Sequence, residues 1–252
     1  MALHCGDIRT DLDGLLGRPR SGRVGRIPVM SFAVDTGDGV LVFDTGCSPA
    51  CCGGSPDAHL GPLARVFEVE MTPDATVAAR IGQAGYGADD VRWVVNSHLH
   101  FDHAGMNGAF PAATHHVRAR ELAWARARGI RGGYVPADVP EWTDTGWDYD
   151  GTFDLLGDGS LVLTDTAGHT PGHQALVVSF ADGRSFAAIG DAAYTAAAVD
   201  TGTPEGYPWD AERARRALVE IGVWRAAGTT VLTAHDGAQW AATPEGAVLH
   251  SA

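Results

Sequence analysis

His98-Leu99-His100-Phe101-Asp102-His103 packs three imidazoles and one carboxylate into six residues, directly after the apolar run Val91-Arg92-Trp93-Val94-Val95. The run reads as a buried strand, which places the cluster on the loop leaving its C-terminal end. Alternate residues of an extended segment share a face, so His98 and His100 can address one metal ion. The chain then turns, and Asp102 and His103 can swing towards a second. Neutral imidazole and carboxylate suit zinc, with manganese, iron or cobalt also compatible. A lone histidine is more often a surface or hydrogen-bonded core side chain, but that reading does not explain four potential ligands in six residues.

Three further segments carry ligand-type residues just past short apolar runs. Asp165-Thr166-Ala167-Gly168-His169-Thr170-Pro171-Gly172-His173 follows Leu161-Val162-Leu163. Gly190-Asp191 ends Phe186-Ala187-Ala188-Ile189, and His235 follows the strand-like Thr229 to Thr233. A sheet presents such segments as a row of loops along one rim, where α/β folds place their sites. His173 reads as a structural or orienting partner rather than a ligand. His4, His59, His115, His116 and His250 also read as non-ligands.

Composition narrows the partners. The chain has 252 residues, 45% of them hydrophobic, enough to bury a sizeable core in a single domain spanning 1–252. Thirty-one acidic against 18 basic residues give a net charge of −13, which repels phosphate backbones and argues against nucleic acid. The arginines 118, 120, 126 and 128 read as the solvated face of a helix. No membrane span or export signal is read, so the expected location is cytoplasmic. Adjacent Cys51 and Cys52 do not easily form a disulfide, and Cys47-x3-Cys51-Cys52 has poor zinc spacing, so these read as loop thiols.

Along the rest of the chain, residues 1–26 read as an extended, loop-rich start. Pro28 to Val34 and Val40 to Phe43 read as a hairpin. Asp44 is either an acceptor that orients a ligand histidine or a turn residue before Gly46. An irregular loop is expected over 49–70, a helix from Asp74 to Ala84 and an exposed helix from Ala119 to Arg128. The stretch from Gly129 to Tyr149, with Tyr134, Trp142 and Trp147, is either part of a pocket wall or a surface excursion. Gln174 to Phe180 pairs with Ser185 to Ile189. Trp209 to Ala227 is the longest helix, with Ala214, Leu218, Ile221 and Trp224 on its packed face.

Taken together, His98-x-His100-x-Asp102-His103 with His169, Asp191 and His235 in order resembles the metallo-β-lactamase superfamily. The wider matches at His98 to Gly105, Asn107 to Phe110, Gly168 to Gln174, Asp191-Ala-Ala-Tyr194 and His235-Asp236 resemble its N-acyl-homoserine lactonase group. Met106 departs from that pattern, which usually has Gly there. The resemblance implies an α/β fold, a four-layer αβ/βα sandwich with the active site at the sheet rim. It implies two zinc ions per chain: one on His98, His100 and His169, the other on Asp102, His103 and His235, with Asp191 bridging.

The activity so implied is ester hydrolysis: a hydroxide shared by the ions opens the ring of an N-acyl homoserine lactone, silencing a bacterial quorum signal. Asp102 would shuttle a proton, and Tyr194 would hydrogen-bond the carbonyl oxygen; otherwise Tyr194 is a buried aromatic. The partners expected are a small-molecule lactone and, among macromolecules, at most a second copy in a homodimer. Another small-lactone hydrolase of the pyridoxolactonase kind, or a thioesterase like glyoxalase II, shares the scaffold. The second normally carries a helical C-terminal substrate domain, for which the seventeen residues after His235 leave no room. An iron-oxygen oxidoreductase of the flavodiiron type would have Glu in place of His100.

Overall fold

Six strands form one sheet: β1 (Ala2–Asp11), β2 (Val24–Asp35), β3 (Val40–Phe43), β4 (Glu68–Glu70), β5 (Val91–Val95) and β6 (Thr114–His116), in the order β4-β1-β2-β3-β5-β6. Five more form a second sheet: β7 (Thr152–Asp154), β8 (Leu161–Asp165), β9 (Gln174–Ser179), β10 (Ser185–Ala188) and β11 (Thr230–Leu232), in the order β11-β10-β9-β8-β7. This is a computed structural model, and it describes residues 1–53, 56–139 and 148–243. Trp142, Trp147 and His250 lie outside the described residues.

Side-chain alternation along the strands creates the layers. In β3, Leu41 and Phe43 point between the sheets with Met30, Phe32 and Val95, where they meet Leu163, Leu176, Val178 and Phe186 of the second sheet. Val40 and Val42 point the other way, onto a cluster containing Val77 and Ile81 of α3 (Val77–Gln83). On the second sheet, Ala175 and Ala187 turn outwards to Val199 of α6 (Ala196–Thr201) and to Leu218 and Ile221 of α7 (Ala211–Ala226). The result is the expected four-layer sandwich. None of the described helices is long and apolar enough to cross a membrane.

Strand direction places the site. β3, β5 and β6 run parallel, as do β10 and β11, while β8 and β10 both pair antiparallel with β9. The loops leaving β3, β5, β8, β10 and β11 therefore all emerge at C-terminal strand ends along one rim. The two hairpins and the long helix occur where the sequence places them, α7 beginning after Asp210, whose carboxylate accepts from the Glu212 and Arg213 amides. The expected helix over 74–84 shortens to α3, with Thr76 capping it after a 3-10 turn at Pro73–Ala75.

Three expectations need correction. Residues 1–26 are not loop-rich: they hold β1, α1 (Leu12–Leu15) and the start of β2. A bulge between His4 and Asp7, with Gly6 at φ 105°, breaks the two-residue alternation that would have revealed the strand. The 49–70 stretch contains α2 (Pro56–Leu60) and the edge strand β4. The helix over 119–128 forms as α5 (Ala119–Arg128), preceded by α4 (Phe101–Ala104), but it is not simply a solvated face. Arg118, just before it, is fully buried, pairing with Asp165 at 2.7 Å and Asp148 at 3.2 Å and donating to the Tyr149 carbonyl at 2.8 Å.

Candidate metal centre

Asp44 begins the site. Its backbone is left-handed at φ 60°, the sole non-glycine case among the described residues, and Asp tolerates that region better than most side chains. The buried carboxylate accepts from Ser97 N at 2.7 Å, Ser97 Oγ at 2.8 Å and His103 Nδ1 at 2.8 Å. Both readings of Asp44 hold, because the turn is what aims the acceptor. Ser97 Oγ lies 3.0 Å from His98 Nδ1, and His235 Nδ1 donates to the Pro28 carbonyl at 2.8 Å. These three rings thus spend Nδ1–H on the surrounding protein, leaving Nε2 lone pairs directed into the site.

Asp191 divides the ligand-type atoms into two sets. Its Oδ2 is 3.3 Å from His169 Nε2 and 3.7 Å from His98 Nε2. Its Oδ1 is 3.1 Å from His235 Nε2 and 3.2 Å from His103 Nε2. On the first side His100 Nδ1 lies 2.9 Å from His98 Nε2 and 3.2 Å from His169 Nε2. On the second, Asp102 Oδ2 lies 3.5 Å from His235 Nε2. Atoms bound tetrahedrally to zinc at about 2.0–2.1 Å sit roughly 3.3 Å from one another, the spacing seen in both sets. All seven residues singled out from the sequence converge, as His98-His100-His169-Asp191 and Asp102-His103-His235.

The donor chemistry fits divalent metals. His103 Nε2 and Asp191 Oδ1 are buried without a partner at hydrogen-bonding geometry, an arrangement that is costly unless a cation satisfies both. Burial holds His98 and His169 well below the ordinary imidazole value, so both are neutral donors of a lone pair. Burial pulls His103 and His235 the same way, but Asp191 and Asp102 outweigh it and raise both. Burial alone would raise Asp191, yet the same two imidazoles hold it well below the carboxylate range. The space between them attracts positive charge.

Sequence reading missed one residue that holds the loops in place. Glu121 of α5, buried, accepts from Leu99 N at 3.1 Å, Gly172 N at 3.1 Å and the Tyr134 hydroxyl at 3.2 Å, tying the His98 loop to the His169 loop. His173 acts as the orienting partner expected of it. Its Nδ1 meets Thr166 Oγ1 at 2.8 Å, its Nε2 accepts from the Asp191 amide at 3.1 Å, and burial lowers its pKa to about 3, so that nitrogen stays an acceptor. Gly190, at φ 48°, permits this contact, since a Cβ there would come 2.7 Å from Ser97 Cβ and 3.1 Å from His173 Nε2.

A cavity of about 500 Å³ opens over both ligand sets. Ile8, Leu15, Ile27, Leu63 and Phe67 give it an apolar side, and Trp124, Tyr207 and Trp209 an aromatic one. Arg131, Gly132, Gly133 and Tyr134 also line it, so this part of the 129–149 stretch is pocket wall. Tyr194 is buried at the floor, its ring 5.8 Å from that of His169 and 5.8 Å from that of His235.

Residues 53–223 match the metallo-beta-lactamase superfamily. N-acyl homoserine lactonase AttM of Azorhizobium caulinodans is 32% identical over 77% of this chain and 75% of its own length. AttM of Rhizobium radiobacter is 29% identical over 95% and 93%. The chain belongs to the metallo-β-lactamase superfamily and, within it, to the N-acyl homoserine lactonase family. Among solved structures, a Bacillus thuringiensis AiiA variant with N-decanoyl-L-homoserine bound at its active site superposes with a TM-score of 0.84 at 23% identity, covering 97% of this chain and 95% of that one. This last likeness concerns the fold.

Proposed function

We propose that this chain is a dinuclear metal-dependent hydrolase that opens the ring ester of N-acyl homoserine lactones. One observation carries the reading: the two oxygens of Asp191 are shared between two ligand sets beneath a cavity with apolar and aromatic walls. His98, His100 and His169 would hold one ion, Asp102, His103 and His235 the other, and Asp191 both. Zinc is the metal we assign, because donor sets of imidazole nitrogen and carboxylate oxygen without cysteine suit it. Such ions supply Lewis acidity for a carbonyl and acidify water towards neutrality.

The protein groups then divide the work. Burial raises Tyr194 well above the ordinary phenol value, so it stays protonated and donates to the ring carbonyl oxygen as negative charge develops there. Water oxygen joins the carbonyl carbon and the ring C–O bond breaks. Asp102, at the cavity floor, takes one proton of the water and passes it to the departing alkoxide, and the other is released to solvent, giving the N-acyl homoserine carboxylate. The apolar side of the cavity takes the acyl chain. Four unpaired thiols, Cys5, Cys47, Cys51 and Cys52, support a cytoplasmic location.

The test is proton release on homoserine lactones of graded acyl length, with γ-butyrolactone and a β-lactam as controls and metal content measured in parallel. Turnover of the acylated lactones above both controls is expected; turnover of the β-lactam alone would overturn the assignment. In the same assay Tyr194→Phe, with both ions present, is expected to lower kcat/KM by roughly ten- to hundredfold, since the metal shares the load of the lost donor. A ratio near one would leave Tyr194 as a packing residue.

A further inference from the structure

The segment that follows α6, residues 203–209, passes over Tyr194 and is fastened at both ends. Its Glu205 carboxylate accepts from Thr195 N at 3.0 Å and Thr195 Oγ1 at 2.9 Å. The next residue, Gly206, at φ 71°, lies so close to the phenol that a Cβ there would come 2.8 Å from Tyr194 Oη and 2.8 Å from Cε2. Trp209 N donates to the His169 carbonyl at 3.0 Å, and Asp210 N to the Gly168 carbonyl at 3.0 Å. Gly17, two residues past α1, touches the other side: a Cβ there would come 2.3 Å from the Gly206 carbonyl oxygen.

From this geometry we infer that Glu205 is a positioning residue for Tyr194: it anchors the adjoining Thr195 through its amide and hydroxyl while Gly206 confines the ring, fixing the phenol over the two ligand sets. The inference rests on the proposed lactone hydrolysis for its kinetic consequence, although the contacts themselves do not. Glu205 reaches no ligand residue in any hydrogen bond or ion pair found among the described residues; its hydrogen bonds go to Thr195, the residue next to Tyr194. The shortest route from it to the ligand sets runs through the phenol. A short loop without such an anchor samples other backbone angles, and a donor misplaced by about an ångström loses most of its effect on the reacting oxygen.

A double-mutant cycle separates this from general stability. Glu205→Ala is expected to lower kcat about tenfold with KM within about twofold, and to cause no further loss in the Tyr194→Phe background. Glu205→Gln keeps an oxygen for the Thr195 amide and an amide that can donate to the Thr195 hydroxyl, so most of the turnover returns. Equal losses from Glu205→Ala in both backgrounds would overturn the inference, as would a Gln variant as damaged as the Ala variant. A second readout needs no turnover: with ring-carbon-labelled tyrosine, the Tyr194 signal, assigned by its disappearance in Tyr194→Phe, shifts or broadens in Glu205→Ala. An unmoved signal would sink the positioning role whatever the substrate. Conversely, a shifted signal in an enzyme that opens no lactone would leave the positioning intact and reject the substrate assignment.

Discussion

Asp191→Ala is expected to reduce the metal content from two ions per chain to one or fewer, and kcat/KM by more than roughly a thousandfold. The reason is the division of labour between its oxygens, one within 3.2 Å of His103 and His235, the other 3.3 Å from His169. Alanine leaves no atom that reaches either side, so each set loses a donor and the two are no longer joined. Four imidazoles also lose the negative charge they surround, which weakens attraction for any cation. Elemental analysis of the purified variant reads the first effect and lactone turnover the second, with circular dichroism confirming the fold. Two tightly held ions in that variant would remove the bridging role. Asp191→Asn, which keeps one oxygen and the shape, should fall between the two.

Gly105→Ala is expected to be the most destabilising of the conservative changes. The Gly105 backbone is ordinary for any residue; the difficulty is space. A Cβ there would lie 2.1 Å from Ser48 N, 2.5 Å from Cys47 C and 2.8 Å from Gly46 O, all of them backbone atoms. The neighbouring chain cannot give way easily, because Gly105 N donates to Gly46 O at 2.8 Å and Thr45 N to the His103 carbonyl at 2.7 Å. The α4 turn carrying Asp102 and His103 is thus pressed backbone to backbone against the loop that carries Asp44. Relief of the clash costs roughly 3 kcal/mol or more, which for a chain of this size lowers the thermal midpoint by about 6–12 °C. Gly108→Ala, where nothing lies within 4 Å of the added carbon, is the control. Equal midpoints for the two variants would show that the loops separate without penalty.

The residues of the His/Asp cluster were legible because a set able to hold metal constrains residue type and local spacing at once: His98 to His103 share one loop, and His169, Asp191 and His235 each follow a strand. The sandwich was legible through the alternation in segments such as Val40 to Phe43. What escaped notice shares a different physics. Glu121 is in the first turn of a helix that looks solvent-facing, and its partners are the amides of Leu99 and Gly172, which leave no mark in residue type. Pro28 orients His235 through a carbonyl, which every residue has, across 207 positions of chain. Arg118 was assigned to a solvated face because its companions Asp148 and Asp165 are 30 and 47 residues away. β1 was hidden by its own bulge.

The two ligand sets draw on both sheets: His98, His100, Asp102 and His103 follow β5 of the first, while His169, Asp191 and His235 follow β8, β10 and β11 of the second. Neither half of the sandwich can complete a set alone, so an ion bound here rivets one half to the other. Mass action then ties folding to supply: a free metal concentration a hundredfold above the dissociation constant adds about 2.7 kcal/mol per site to the stability of the folded chain. For a protein of ordinary marginal stability that is a large fraction of the whole. With ions bound as proposed, metal supply would bear on how long each copy survives proteolysis, independent of any change in its synthesis.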